Sequence, residues 1–175
     1  MILTGPSIQQ CVSAGDITIE PFDSNNLNPN SYNFSLGDYV YVYKNHILDP
    51  KVKQDTIQIE IPDEGLILQP DTLYLGFTHE KMGSEKYVPI INGRSSTGRL
   101  GLFIHITANL IDIGSINHWT LQMHAVQPTK IYKGMHIGQV TFWKPYGEIT
   151  LYNGKYKNST GPRASEIWRD FNNNV

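Results

Sequence analysis

The stretch Asn92-Gly-Arg-Ser-Ser-Thr-Gly-Arg-Leu-Gly-Leu-Phe-Ile-His-Ile-Thr-Ala-Asn-Leu-Ile-Asp-Ile-Gly-Ser-Ile-Asn-His-Trp-Thr-Leu-Gln-Met-His-Ala-Val-Gln127 concentrates polar groups inside an otherwise strand-like pattern. Its closing run decides the fold class. From His118 to His124, residues of one parity (His118, Thr120, Gln122, His124) are polar and those of the other (Trp119, Leu121, Met123) are apolar. A period of two marks a strand with one face on a core. Gln122 and Thr120 then share the polar face, which is either a solvated sheet surface or the wall of a site.

The same period recurs on both sides. Ile17/Ile19, Tyr32/Phe34/Leu36, Val40/Val42, Ile57/Ile59/Ile61 and Leu73/Leu75/Phe77 alternate before the stretch. Phe103–Ile106 lies within it, and Lys130–Tyr132 and Ile137–Trp143 follow it. Turn signals separate the runs: Leu27-Asn-Pro-Asn30, Leu36-Gly-Asp38, Asp49-Pro50, Pro62-Asp-Glu-Gly65, Gln69-Pro-Asp71 and Lys133-Gly134. Many short strands at this spacing predict an all-β distorted barrel or jelly roll. Two short helices frame it. One is expected over residues 4–15, with Thr4 as cap, Pro6 in the first turn and Ile8, Cys11 and Val12 on an apolar face. The other is expected over Ala164–Phe171. Between them the polar linker from Asn153 to Pro162 is either a plain connection or a mobile lid. No repeat or internal boundary interrupts the chain, so residues 1–175 are expected to form one domain.

Composition narrows the function. The 175 residues are 39% apolar and 17% charged, the mix of a globular protein with a core of its own. A net charge of −2 supplies no general basic field, so no nucleic-acid polymer is expected as partner. No apolar run approaches the ~18 residues that cross a bilayer. Neither membrane association nor a leader is expected, and the location is expected to be cytoplasmic, a host's cytoplasm were the protein viral. The single cysteine, Cys11, rules out an internal disulfide and a multi-cysteine zinc site, and its place on an apolar helical face reads as packing. Among the six histidines, His118 and His124 share a strand face but stand about 20 Å apart, too far to share a metal.

Within the opening stretch, Arg94-Ser95-Ser96 offers a guanidinium, two hydroxyls and clustered backbone N–H groups after Gly93. If Arg94–Leu100 is a short helix, those groups suit anionic oxygens, and arginine adds planar bidentate pairing with phosphate. The bland alternative is an N-cap serine beside a surface arginine. Asp112, after Leu110-Ile111 and before Gly114, either activates water or binds a sugar hydroxyl, or simply holds a turn. Lys155, Tyr156 and Lys157 either fold over phosphates, with Tyr152 stacking on a base, or are ordinary solvated groups.

Gly93-Arg-Ser-Ser-Thr-Gly-Arg-Leu-Gly-Leu102, joined to His105-Ile-Thr-Ala108 and Leu110-Ile-Asp112, resembles the dCTP deaminase branch of the dUTPase superfamily. Met1-Ile-Leu-Thr-Gly5, Leu27-Asn-Pro-Asn-Ser-Tyr32 with Leu36-Gly37, Leu75-Gly-Phe-Thr-His-Glu80, Tyr132-Lys-Gly-Met135 with Ile137-Gly-Gln139, and Lys155-Tyr156 with Gly161 extend the likeness over nearly the whole chain. The resemblance implies a dUTPase-like β fold assembled as a homotrimer with sites between subunits. It implies dCTP or dUTP as ligand, Mg²⁺ carried on the triphosphate, no protein side chain as metal ligand and no zinc; thymidine triphosphate is an inhibitor of many members. Arg94, Ser95 and Ser96 would grip phosphates, and Asp112 would meet the deoxyribose or activate water at the α-phosphorus. Ser95, Arg99 and the carbonyl near Ala108 would hold the water and base. Lys155 and Ser159 would come from a mobile tail, residues 153–175, closing over the nucleotide.

One residue departs from the pattern in a way that matters. The family strand carries a glutamate as general acid and base for water attack at C4 of cytosine, and Gln122 stands at that position. An amide has the same shape but cannot accept a proton near neutral pH. General acid–base catalysis typically contributes about 10²–10⁴-fold. Gln122 therefore fits three readings: a substrate-trapping substitution in a deaminase that converts dCTP to dUTP, a dUTP/dCTP diphosphohydrolase working through Asp112, or a non-catalytic nucleotide-binding regulator. Ile113 and Asn117, where the motif has proline and glycine, are expected to be drift in a tolerant loop.

Overall fold

The computed structural model describes residues 1–172, and its regular structure is almost entirely antiparallel β. Helix α1 (Gly5–Ser13) leads into strands β1 (Thr18–Glu20), β2 (Tyr32–Ser35), β3 (Tyr39–Tyr43), β4 (Thr56–Glu60), β5 (Leu66–Leu68), β6 (Tyr74–Phe77), β7 (Lys81–Gly83) and β8 (Val88–Gly93). Helix α2 (Ser95–Gly98) follows, then β9 (Leu102–Phe103), β10 (Thr120–Ala125), β11 (Thr129–Ile131), β12 (His136–Trp143) and the terminal helix α3 (Trp168–Asn172).

Two larger sheets organise the molecule. One has five strands in the order β4-β3-β6-β10-β9 and the other three in the order β2-β12-β8; β1-β7 and β11-β5 are two-stranded ribbons. Their inward side chains meet in one core that includes Phe34, Val40, Ile91, Leu121, Met123, Val140 and Phe142. The all-β expectation holds. Among the described residues no ladder joins these sheets into a closed barrel.

Strand β12 is the spine of the smaller sheet. It pairs with β2 on one side, through a register shift between His136 and Gly138, and with β8 on the other. Gly138 is required there: a Cβ would stand 2.2 Å from the Phe34 ring and 2.6 Å from Ile104. β8 is an edge strand, which is why Pro89, lacking an N–H, fits opposite Phe142.

Several boundaries differ from expectation for identifiable reasons. The first helix starts one residue late and stops two early. The Thr4 side chain does not cap it, its hydroxyl meeting Ser7 Oγ at 3.1 Å instead. Cys11 packs against the core as expected and lies 3.5 Å from the Tyr87 hydroxyl. The strand expected over Phe103–Ile106 ends at Phe103, because the Ile106 N–H turns to a side chain, that of Gln122. The last helix begins at Trp168 rather than Ala164. The preceding backbone donates instead to side chains: Arg163 N–H to Thr120 Oγ1 (2.9 Å), Ser165 N–H to the Tyr43 hydroxyl (2.9 Å) and Glu166 N–H to the Tyr156 hydroxyl (2.9 Å).

Candidate active site

Strand β10 builds the floor of the site as its alternation predicts. Trp119, Leu121 and Met123 are buried, while His118, Thr120, Gln122 and His124 lie half-buried on the opposite face. Above that face opens a cleft of about 650 Å³. Its wall brings together Ala108, Asp112, Gln122, Tyr152 and Ser159, five of the residues that the sequence reading named. The size suits a ligand of nucleotide dimensions, and the mixture of apolar wall and few polar groups is typical of a small-molecule site.

At one end, Gln122 Oε1 accepts a hydrogen bond from the Ile106 backbone N–H at 3.4 Å. Beside it the Thr120 hydroxyl accepts from Arg163 N–H. His118 Nδ1 lies 3.0 Å from the Thr78 carbonyl, to which only a protonated Nδ1 can donate, and the ring stands edge-on to Phe77 at 6.2 Å. Asp112 is exposed, on the turn leaving the 104–111 segment. That turn is held by its backbone carbonyl, which accepts from Ser115 N–H at 3.1 Å. Its carboxylate makes no protein hydrogen bond among the described residues and is free to meet a ligand. Gly114 sustains the turn with φ +89°, and a Cβ there would lie 3.0 Å from the Tyr152 nitrogen. The tail therefore runs close against the turn, and Tyr152 N–H donates to the Ile113 carbonyl at 2.7 Å.

The tail is docked through residue 172. Tyr152 OH accepts from Tyr156 N–H at 3.0 Å, and Lys157 reaches Asn153 at 3.1 Å. Ser159 is buried, and its carbonyl accepts from His118 N–H at 3.2 Å. Asn117 supplies what sequence reading missed. Its side chain accepts from Ser159 N–H (3.0 Å) and donates toward Ser115 Oγ (3.1 Å) and the Tyr156 carbonyl (3.4 Å). Asn117, expected to be drift, clasps the tail. The only signal was its replacement of a motif glycine by a residue with both donor and acceptor. Residues 173–175 of the expected lid lie outside the described residues.

Among the described residues, most charges in the tail are already paired, Lys157 being the exception. Lys155 Nζ lies 2.8 and 2.7 Å from the two Asp170 oxygens, and this hydrogen-bonded pair raises the lysine above its ordinary value. Burial pushes the Glu166 carboxyl up, but its ion pairs with Arg169 and Arg163 outweigh that and leave it below the ordinary glutamate value. Lys155 does not line the cleft.

Arg94, Ser95, Ser96 and Arg99 stand elsewhere. They belong to α2 at the end of β8, and none of them reaches the cleft wall of this chain. The helix expected over Arg94–Leu100 is confined to Ser95–Gly98, with Arg94 extended at its N-cap. The segment is rigidly held: Arg94 Nη1 donates to the His136 carbonyl (3.2 Å), and Thr97 Oγ1 lies 2.8 Å from the Arg94 carbonyl. Ser95, Ser96 and Arg99 are exposed. Among the described residues no group of three or more His, Cys, Asp or Glu side chains could hold a metal ion, and no helix is long and apolar enough to cross a membrane.

Comparison with known proteins meets this geometry from another direction. Residues 2–145 match a family described as dCTP deaminase-like. A protein of Clostridium beijerinckii named "dCTP deaminase, dUMP-forming" is 49% identical over 98% of this chain and 99% of its own length. The protein of that name from Clostridium acetobutylicum is 44% identical over 99% of this chain and all, 100%, of its own. Among solved structures, a 2'-deoxycytidine 5'-triphosphate deaminase from Agrobacterium tumefaciens superimposes with a TM-score of 0.63 at 19% identity, covering 81% of this chain. This chain spans about half, 47%, of that longer one, and the likeness concerns the fold. By full-length similarity to its relatives, the chain belongs to the dCTP deaminase-like family.

Proposed function

We propose that this chain is a hydrolase of pyrimidine deoxynucleoside triphosphates that acts on dCTP and carries its product through to dUMP. The observation that carries this reading is the cleft. It gathers Asp112, Gln122, Ala108, Tyr152 and Ser159 from separate parts of the chain around a volume fit for a nucleotide, in a family whose relatives are named for dUMP formation. In deamination the water oxygen bonds to C4, the C4–N bond breaks and ammonia leaves. Gln122 can orient that water but cannot shuttle its protons, so this step is slow. In hydrolysis Asp112 takes a proton from a water that attacks the α-phosphorus, and pyrophosphate leaves. Its unpaired carboxylate on the cleft wall supports that role.

Mg²⁺ fits as a passenger of the triphosphate. Asp112 is the one carboxylate on the cleft wall, too few ligands to hold the ion unaided. The phosphates are gripped by Arg94, Ser95 and Ser96 of a second copy, with Ser95 and Arg99 of that copy approaching the base, in a homotrimer. Leu100, Phe103 and Leu110, each more than half exposed at 54%, 52% and 61%, flank α2 and the cleft and support burial against another subunit.

The test is to incubate the protein with Mg²⁺ and dUTP or dCTP and separate the products. dUMP and pyrophosphate from dUTP, with dUMP and ammonia forming at least about tenfold more slowly from dCTP, are expected. Asp112→Asn should lower dUMP formation by about 10²-fold or more while nucleotide still binds. Full turnover by Asp112→Asn would sink this assignment.

A further inference from the structure

The Ile106–Gln122 hydrogen bond fixes more than a rotamer. A backbone N–H can only donate, so the Gln122 amide must present its oxygen to Ile106, 3.4 Å away. Its NH₂ group is then turned to the other side. That group has no hydrogen-bond partner among the described residues, and Gln122 lies on the cleft wall. Buried Leu121 and Met123 on either side keep the side chain on the cleft face, since the strand cannot rotate one residue without exposing both.

We infer that Gln122 is a specificity-determining residue that makes the base end of the cleft select pyrimidines with a carbonyl at C4, uracil or thymine, over cytosine. This rests on the reading of the cleft as a nucleotide site. Uracil and thymine offer an acceptor oxygen at C4, which pairs with the Gln122 NH₂. Cytosine offers an amino group there, and donor faces donor. Turning the amide over to accept from cytosine would place its NH₂ against the Ile106 N–H, the same mismatch moved to the other side. A carboxylate at this position has no such conflict, because its oxygens accept from Ile106 and from a cytosine amino group together. The glutamine therefore does two things at once: it removes the proton carrier for deamination and turns the site toward the nucleotide that deamination would have made.

The experiment measures binding apart from turnover. The full chain is titrated calorimetrically with the α,β-imido analogues of dUTP and dCTP in the presence of Mg²⁺. The expected result is dUTP-analogue binding at least about tenfold tighter, the ratio a mismatched polar contact in a desolvated site gives. Gln122→Met, similar in length but without polar hydrogens, should level the ratio. Equal affinities in the unaltered protein, or a tighter dCTP analogue, overturn the inference while leaving the nucleotide site intact. Absence of binding by both analogues overturns it together with the nucleotide reading. A Gln122→Met protein that keeps the full preference for the dUTP analogue also overturns it, by placing selection elsewhere.

Discussion

Asn117 shows how much one amide can organise. It is 4% exposed, and its side-chain oxygen and nitrogen are spent on Ser159, Ser115 and Tyr156, residues of the cleft turn and the tail. Removing the side chain leaves the Ser159 N–H buried without an acceptor, which costs about 1–3 kcal/mol. Asn117→Ala is therefore expected to speed amide hydrogen exchange at Ser159 by at least about fivefold, with little change in the β10 core. On the proposed nucleotide site it should also raise the KM more than it lowers kcat, because Tyr156 and Ser159 of the tail line the cleft and Asp112 is untouched. Unchanged exchange at Ser159 would show that the clasp carries no docking energy. The sequence could not reveal this residue. A glycine replaced by asparagine in a loop looks like drift until Ser159, far along the chain, is placed opposite it.

Whole strands divide sharply into those legible beforehand and those not. β2, β3, β4, β6, β10 and β12 alternate for long enough to show a period, and each was anticipated within a few residues. β1 and β11 are just as short as β5 and β7, but Ile17/Ile19 and Lys130–Tyr132 alternate. β5 is instead an unbroken Leu-Ile-Leu run and β7 a Lys-Met-Gly with one apolar side chain, so neither shows a period. β8 contains Pro89 and ends in Gly93, residues that usually punctuate, and only its edge position makes them acceptable. The tail failed for a different reason: its helical pattern from Ala164 is real, but side-chain acceptors on Tyr43, Thr120 and Tyr156 outcompete the first turn. Docking of this element depends on pH in a direction that follows from its ion pairs. Glu166 has a lowered affinity for protons when docked, so its contribution is complete above the ordinary glutamate value of 4.5 and is lost as pH falls through the docked value. Lys155 is raised by Asp170, so its contribution is complete below 10.5 and is lost as pH rises through its docked value. Proteolysis or hydrogen exchange of residues 153–172 should show constant protection between these limits and release beyond them. Glu166→Gln should remove the acid-side release. If protection instead falls between pH 5 and 10, some other group controls the tail.

At the scale of the molecule, the cleft and the arginine–serine segment pose a single geometric problem. The family likeness made both legible in the sequence, but a linear reading cannot say that none of the segment's residues lines the cleft of its own chain. α2 is bonded to the smaller sheet, away from the cleft lining. Its start is tied to the β2-β12-β8 sheet by the Arg94–His136 bond, by Thr97 Oγ1 3.3 Å from the Ile137 carbonyl, and by Gln139 Nε2 donating to the Gly93 carbonyl at 3.4 Å. On the proposed homotrimer the guanidinium serves the cleft of a neighbouring copy, and the exposed Leu100, Phe103 and Leu110 offer apolar surface for such a neighbour. The consequence is complementation. Asp112→Asn and Arg94→Ala proteins should each be inactive as purified. After unfolding and refolding together in equal amounts they should regain activity, because some sites then combine an intact Asp112 with an intact Arg94 from the adjacent subunit. Random mixing makes about one site in four whole, so recovery should approach roughly a quarter of the unaltered rate. The refolded species should run at the mass of a trimer. Recovery absent from a mixture that has formed trimers would mean that each chain completes its own site, and the Arg94 segment would then need another purpose.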